Sequence, residues 1–173
     1  MNPKALTSVP ARAPKTLSTQ SITILNDRLV DEYTAHFFYR IAANWCKNAA
    51  YNKAGAFFEA EAVSELEHAG KLQQYLVDWN TIPTMPSVKP NIAFTNLIDI
   101  VNKAYALEFG LFEKYNADSA KVFQSDLTTF DFLGEFRNTQ LQAVTEYSDL
   151  LNAAVLVDTE NRLDILYFEQ TYF

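Results

Sequence analysis

From Ser21 onward, apolar residues recur at three- and four-residue intervals, the spacing that gathers side chains on one face of an α-helix. No strand-like alternation persists over a useful length. The spacing predicts a first helix over about 21–48, with a stripe at Ile22, Leu25, Leu29, Glu32, His36, Tyr39 and Ala43. A second helix is expected over about 51–78. The stretch from Trp79 to Pro90 cannot extend it, because Pro83, Pro86 and Pro90 fall within eight residues. Further helices are expected over about 92–120, 126–155 and, much shorter, 159–171, the last with Asp158 or Thr159 as N-cap.

The joins between these helices are a few residues long, except for the proline-rich one after the second helix. That segment is long enough, when extended, to cross the length of a bundle. The pattern therefore implies an all-α bundle of four long helices with one long crossover in the middle and a short fifth helix. Residues 1–20 read differently: three of the six prolines, three basic residues and no acid lie there. They are expected to form a mobile tail ahead of a single domain at 21–173. A basic, acid-free start also fits a transit peptide, although no amphipathic helix precedes Pro14.

The apolar stripes are interrupted at matching depths. On the second helix, Glu65 and His68 sit three residues apart on a face that otherwise carries Phe58, Ala62, Ala69 and Leu72. On the third, Glu108 lies among Val101, Ala104, Tyr105, Leu111, Phe112 and Tyr115. Glu32 interrupts the first helix and Gln140 the fourth, the latter between Leu133, Phe136, Ala143, Val144 and Tyr147. A carboxylate or imidazole aimed into a core is costly unless it is paired or binds metal. Each interruption alone is unremarkable, and a buried hydrogen-bond network without metal is the plainer account. One polar residue near the middle of each long helix favours a shared site.

Composition narrows the partners. A net charge of −7 argues against nucleic acid and suits a protein that attracts cations, although it also serves solubility. Cys46 is the single cysteine, which permits no intrachain disulfide and no thiolate metal cluster, and points to a reducing, cytoplasmic compartment. No apolar run approaches the roughly 20 residues of a membrane span. Three carboxylates and one imidazole make a hard O/N donor set suited to iron, manganese or zinc. With Glu65 shared between two cations, two adjacent Fe(II) ions can each give one electron to the same O2.

Asp31-Glu32-Tyr33, the Glu65/His68 pair, Ala106-Leu107-Glu108, and Phe132-Leu133 followed by Gln140 together resemble the non-haem ferritins, bacterial ones above all. The resemblance covers about 21–171, crossover and fifth helix included. It implies a ferritin-like bundle whose ferroxidase centre is Glu32, Glu65, His68 and Glu108, with Gln140 beside it and Tyr39 packed close. It further implies iron-storing cages of 24 subunits fed by Fe(II) and O2 or H2O2, with residues 159–171 lining the four-fold axes. An iron-storage ferritin with ferroxidase activity is the expected function. A ferritin-like di-metal oxidase or peroxidase that stores nothing is the alternative.

The departures from that family qualify the expectation. Positions that match a third iron site in many bacterial ferritins are Ser64, Thr139, Gln142 and Ala143, none a good iron ligand, so that site is expected to be missing. The fourth helix lacks a second Glu-x-x-His, which weakens bacterioferritin and rubrerythrin readings. Met1 and Met85 are the only methionines and neither is on the second helix, so no haem is expected. Asp126, Asp131 and Glu135 fit three-fold channels and the dipole of the fourth helix equally well. Glu61 and Glu67 fit mineral nucleation or a solvated face. His36 fits support of the site or a satisfied core position, and Trp45 and Cys46 read as packing.

Overall fold

The computed structural model describes residues 14–173, which form five helices and no strand. Helix α1 (Thr19–Asn48) starts where Ser18, with an extended backbone, accepts the N–H of Ser21 on its hydroxyl at 3.0 Å. Helix α2 spans Asn52–Asp78, α3 Leu97–Val122, α4 Leu127–Ala154 and α5 Arg162–Tyr172. The expected helices are all present, with shifts at their ends that capping explains. The third begins at Leu97 rather than near 92, because Asn96 accepts the N–H of Asp99 at 2.8 Å while Asp99 accepts that of Thr95 at 3.0 Å. The fifth is capped by Asn161, which accepts the N–H of Leu163 at 3.0 Å; Asp158 instead accepts that of Glu160.

Both α1 and α2 end in the same backbone turn. Tyr51 N–H donates to the Cys46 carbonyl and Ala50 N–H to that of Lys47, while Thr81 and Asn80 repeat the pattern on Leu76 and Val77. The turn requires a left-handed residue, and Ala50 (φ 65°) and Asn80 (φ 55°) occupy those positions.

The core is split into two apolar clusters, and the order in which each helix visits them fixes the topology. One holds Phe38, Ala62, Ala104 and Tyr147; the other holds Leu25, Leu29, Ala69, Leu72, Tyr115, Leu133 and Phe136. Helices α1 and α4 run from the second cluster to the first, whereas α2 and α3 both run from the first to the second. Consecutive helices α2 and α3 are thus parallel, and residues 79–96 must traverse the bundle between them. The traverse is fastened along its course: Thr84 N–H donates to Asn26 at 2.7 Å, and Phe94 packs edge-on against Phe38 with centroids 5.5 Å apart. Helix α1 packs chiefly on α2 and α3 on α4, while α5 touches α2 and α4.

Of the tail expected over 1–20, residues 1–13 lie outside the described residues. The remainder is tied down: Leu17 is buried in the second cluster and the Lys15 carbonyl accepts from Asn80 at 3.0 Å. Among the described residues, no helix is long and apolar enough to cross a membrane.

Candidate metal centre

The boundary between the two apolar clusters is where the polar interruptions fall. Glu32 separates Leu29 from Ala35 on α1, Glu65 separates Ala62 from Ala69 on α2, and Gln140 separates Phe136 from Tyr147 on α4; on α3 Glu108 sits one turn inside the first cluster, between Ala104 and Leu111. All four are buried, Glu32 and Glu108 completely, and His68 is nearly so. Helical periodicity alone brings them inward, since each replaces an apolar residue of its stripe.

Glu32, Glu65 and His68 converge closely enough that one ligand atom from each lies within 4.8 Å of the others. His68 Nδ1 is 3.1 Å from Glu65 Oε2 and 3.5 Å from Glu32 Oε2, the latter contact lying outside hydrogen-bond geometry. Glu32 Oε1 accepts the hydroxyl of Tyr115, which leaves Oε2 buried without a hydrogen-bond partner. Glu108 is differently held. Its Oε1 accepts the Tyr39 hydroxyl, and with the Gln140 amide turned so that donors meet acceptors, Gln140 donates to Glu108 Oε2 at 2.8 Å and to its carbonyl at 3.2 Å. Three carboxylates are therefore assembled, one with a free oxygen and one fully engaged.

Electrostatics follow from this crowding. Burial, with Glu32 and Glu108 nearby, pushes the Glu65 carboxyl well above the usual range, against the opposing His68 hydrogen bond. Burial likewise pushes Glu108 to about 7, the Tyr39 hydrogen bond opposing and Glu32 adding to the rise. His68 shows the opposite balance. Burial disfavours its charge, but the close contacts and negative charges of Glu32 and Glu65 outweigh that and raise it to about 10. In the ion-free protein the imidazolium thus supplies the positive charge that a bound cation would otherwise bring, and a cation must displace its proton. Burial first, and the neighbouring carboxylates next, hold the Tyr39 and Tyr115 phenols well above their ordinary range.

Of the six residues expected from sequence, Glu32, Glu65 and His68 converge on one another, while Tyr39 and Gln140 gather on Glu108. Tyr115 was not expected among them; it read only as one more apolar position beside Glu108. A signal was available in the spacing, since Glu32/Tyr39 and Glu108/Tyr115 are both seven residues apart. His36 holds the Ala62 carbonyl through Nδ1 at 2.6 Å and no ligand carboxylate. Asp126 is the N-cap of α4, while Asp131, Glu135 and Glu67 are exposed. Glu61 is half-buried and accepts weakly from Tyr147 at 3.5 Å, its carboxyl raised by burial and by Glu146. Cys46 is packed in the core, where burial pushes its thiol to about 12, and Trp45 stacks on Tyr51 at 6.2 Å.

Known proteins share this fold. A bacterial non-heme ferritin of Campylobacter jejuni is 27% identical over 143 residues, 82% of this chain and 86% of its own length. One from Staphylococcus aureus is 24% identical over 153 residues, 87% of this chain and 92% of its own length. An open pore ferritin from the archaeon Archaeoglobus fulgidus superposes with a TM-score of 0.83 at 15% identity, covering 91% of this chain and 98% of that one, a likeness of fold. The family model described as Ferritin-like domain matches residues 22–156, all four long helices, and the chain belongs to that family.

Proposed function

We propose that this chain is an iron-storage ferritin with ferroxidase activity. Two Fe(II) ions bind at Glu32, Glu65, His68 and Glu108 and are oxidised by O2 or H2O2. The Fe(III) is then kept as mineral inside a cage of 24 copies of the chain, in the cytoplasm. The observation that carries this reading is Glu32 Oε2, a carboxylate oxygen buried without a hydrogen bond and set against Glu65 and His68. A buried carboxylate oxygen with no hydrogen bond is unfavourable even beside the His68 imidazolium, and a divalent cation among these three groups removes the penalty. The bacterial relatives are non-heme ferritins, which supports a ferritin reading without haem.

The first ion fits the group already assembled, Glu32, Glu65 and His68. A second ion would be held by Glu65 together with Glu108, whose Oε2 takes the Gln140 hydrogen bond in the ion-free protein. Tyr39 keeps the remaining oxygen of Glu108 aimed inward. With O2 as oxidant each Fe(II) gives one electron, and O2 takes both with two protons to leave as H2O2. Aqueous ligands of the oxidised ions are made more acidic, which favours oxo- and hydroxo-bridged Fe(III).

Stopped-flow oxidation of Fe(II) by wild type and Glu65→Ala tests the reading. The variant should assemble normally yet lose rapid oxidation; rapid oxidation that survives the change rules out this centre. Rapid oxidation by a small oligomer that retains no iron would instead support the di-metal oxidase without storage.

A further inference from the structure

Glu32 and Tyr39 on α1, and Glu108 and Tyr115 on α3, share one spacing, seven residues, which sets each tyrosine two turns beyond its carboxylate on the same face. Because α1 and α3 run in opposite directions, each tyrosine reaches the carboxylate of the other helix. Tyr39 of α1 donates to Glu108, and Tyr115 of α3 donates to Glu32. The two helices are thus related by a local two-fold that α2 and α4 break. Where α2 offers Glu65 and His68, α4 offers Gln140 and Ala143. Glu108 consequently has both a tyrosine and an amide, whereas Glu32 accepts from Tyr115 alone among the described residues.

Tyr115 is itself tightly held. Its ring is fully buried, stacks on Phe136 at 5.1 Å with 14° between planes, and lies 5.9 Å from the Arg28 guanidinium. Arg28 is pinned in turn by Asp31 at 2.9 Å and Asp118 at 3.1 Å. A hydroxyl fixed from both sides of its ring defines where Glu32 Oε1 must sit, and so where Oε2 points.

We propose that Tyr115 is a positioning residue of the centre, its hydroxyl holding Glu32 so that Oε2 meets the first ion as a one-oxygen ligand beside Glu65 and His68. The inference rests on the reading of those three groups as a cation site. A glutamate free to rotate would lose side-chain entropy on binding; one already fixed does not. Groups that orient metal ligands in this way typically alter affinity by about 10- to 100-fold when removed.

The test is anaerobic Co(II) titration of ion-free, full-length wild type, Tyr115→Phe and Glu65→Ala, followed by visible absorption and calorimetry. Tyr115→Phe removes one oxygen and keeps the ring that stacks on Phe136, so a purely structural role leaves both readouts unmoved. The expected result is first-ion affinity at least about 10-fold weaker, with a changed visible spectrum for that ion and unchanged helicity. Binding by Tyr115→Phe that matches wild type, while Glu65→Ala is impaired, overturns the positioning role alone. Binding by Glu65→Ala that also matches wild type overturns the cation site and this proposal with it. Should Tyr115→Phe not fold, Phe136→Leu, which removes the ring beneath Tyr115, must weaken the first ion in the same way; unchanged binding there overturns the proposal.

Discussion

Glu169, near the end of α5, accepts the backbone N–H of Lys53 at 2.7 Å and so caps a helix 116 residues earlier in the chain. The same oxygen accepts the N–H of Ala54 at 3.2 Å, and the residue preceding α2, Tyr51, offers no side-chain cap of its own. Phe173 follows by packing against Phe57 and Phe58 with ring centroids 5.2 and 5.6 Å apart. The short helix is therefore joined to the bundle by a buried carboxylate at the positive end of α2 as well as by apolar contact. Replacing Glu169 by Ala should destabilise the chain by about 1–2 kcal/mol. Urea denaturation measures this, and hydrogen exchange should show the loss concentrated at the start of α2. An unchanged midpoint would mean that the cap contributes nothing.

A gain of stability is expected at Ala50. The turn that closes α1 forces this residue to φ 65°, a conformation that crowds its Cβ and that glycine adopts freely. Ala50→Gly should raise stability by about 0.5–1 kcal/mol, the relief of strain exceeding the added freedom of the unfolded chain. A lower melting temperature would show that the turn tolerates alanine without strain.

The pH dependence of stability should carry a contribution from Asp126. Burial alone would raise its carboxyl, but hydrogen bonds from the Thr129 hydroxyl at 2.6 Å, the Thr129 N–H at 3.0 Å and the Ser21 hydroxyl at 2.8 Å prevail and hold it below its ordinary 3.8. A depressed carboxyl stabilises the fold above its unfolded pKa and loses that effect as pH falls through the folded value. Asp126→Asn keeps a capping oxygen and removes the charge. The variant should be less stable than wild type by up to about 1 kcal/mol at pH 7, with the gap closing below about pH 4. A gap that stays constant with pH would contradict this origin.

Much of the fold and most of the site were legible in the sequence because the relevant signals were expensive ones. A glutamate at the centre of an apolar stripe, as Glu108 is between Ala104 and Leu111, has few explanations, and three prolines after Trp79 leave one place for the crossover. The parts that were not legible depend on direction. Tyr115 looks like core because tyrosine is at home there; only the antiparallel relation of α1 and α3 turns its seven-residue spacing into a hydrogen bond with Glu32. The ends of α3 and α5 were misplaced because several Asn, Asp and Thr residues stand near each start, and the backbone selects Asn96 and Asn161 among them. Glu169 could not be read as a cap at all, since its partner lies at the far end of the sequence. His36 occupies the stripe of Glu32 yet turns to a backbone carbonyl, a choice between neighbours that periodicity does not resolve.

Storage by a cage is the central claim, and one experiment addresses it directly. Full-length protein is loaded aerobically with a few hundred Fe(II) per expected cage and passed through a sizing column, iron and protein being followed together. Twenty-four chains of 19.6 kDa should carry the iron in a particle of roughly 470 kDa. Fe(II) that is oxidised rapidly but precipitates away from a small oligomer would contradict storage, leaving a di-metal oxidase in its place.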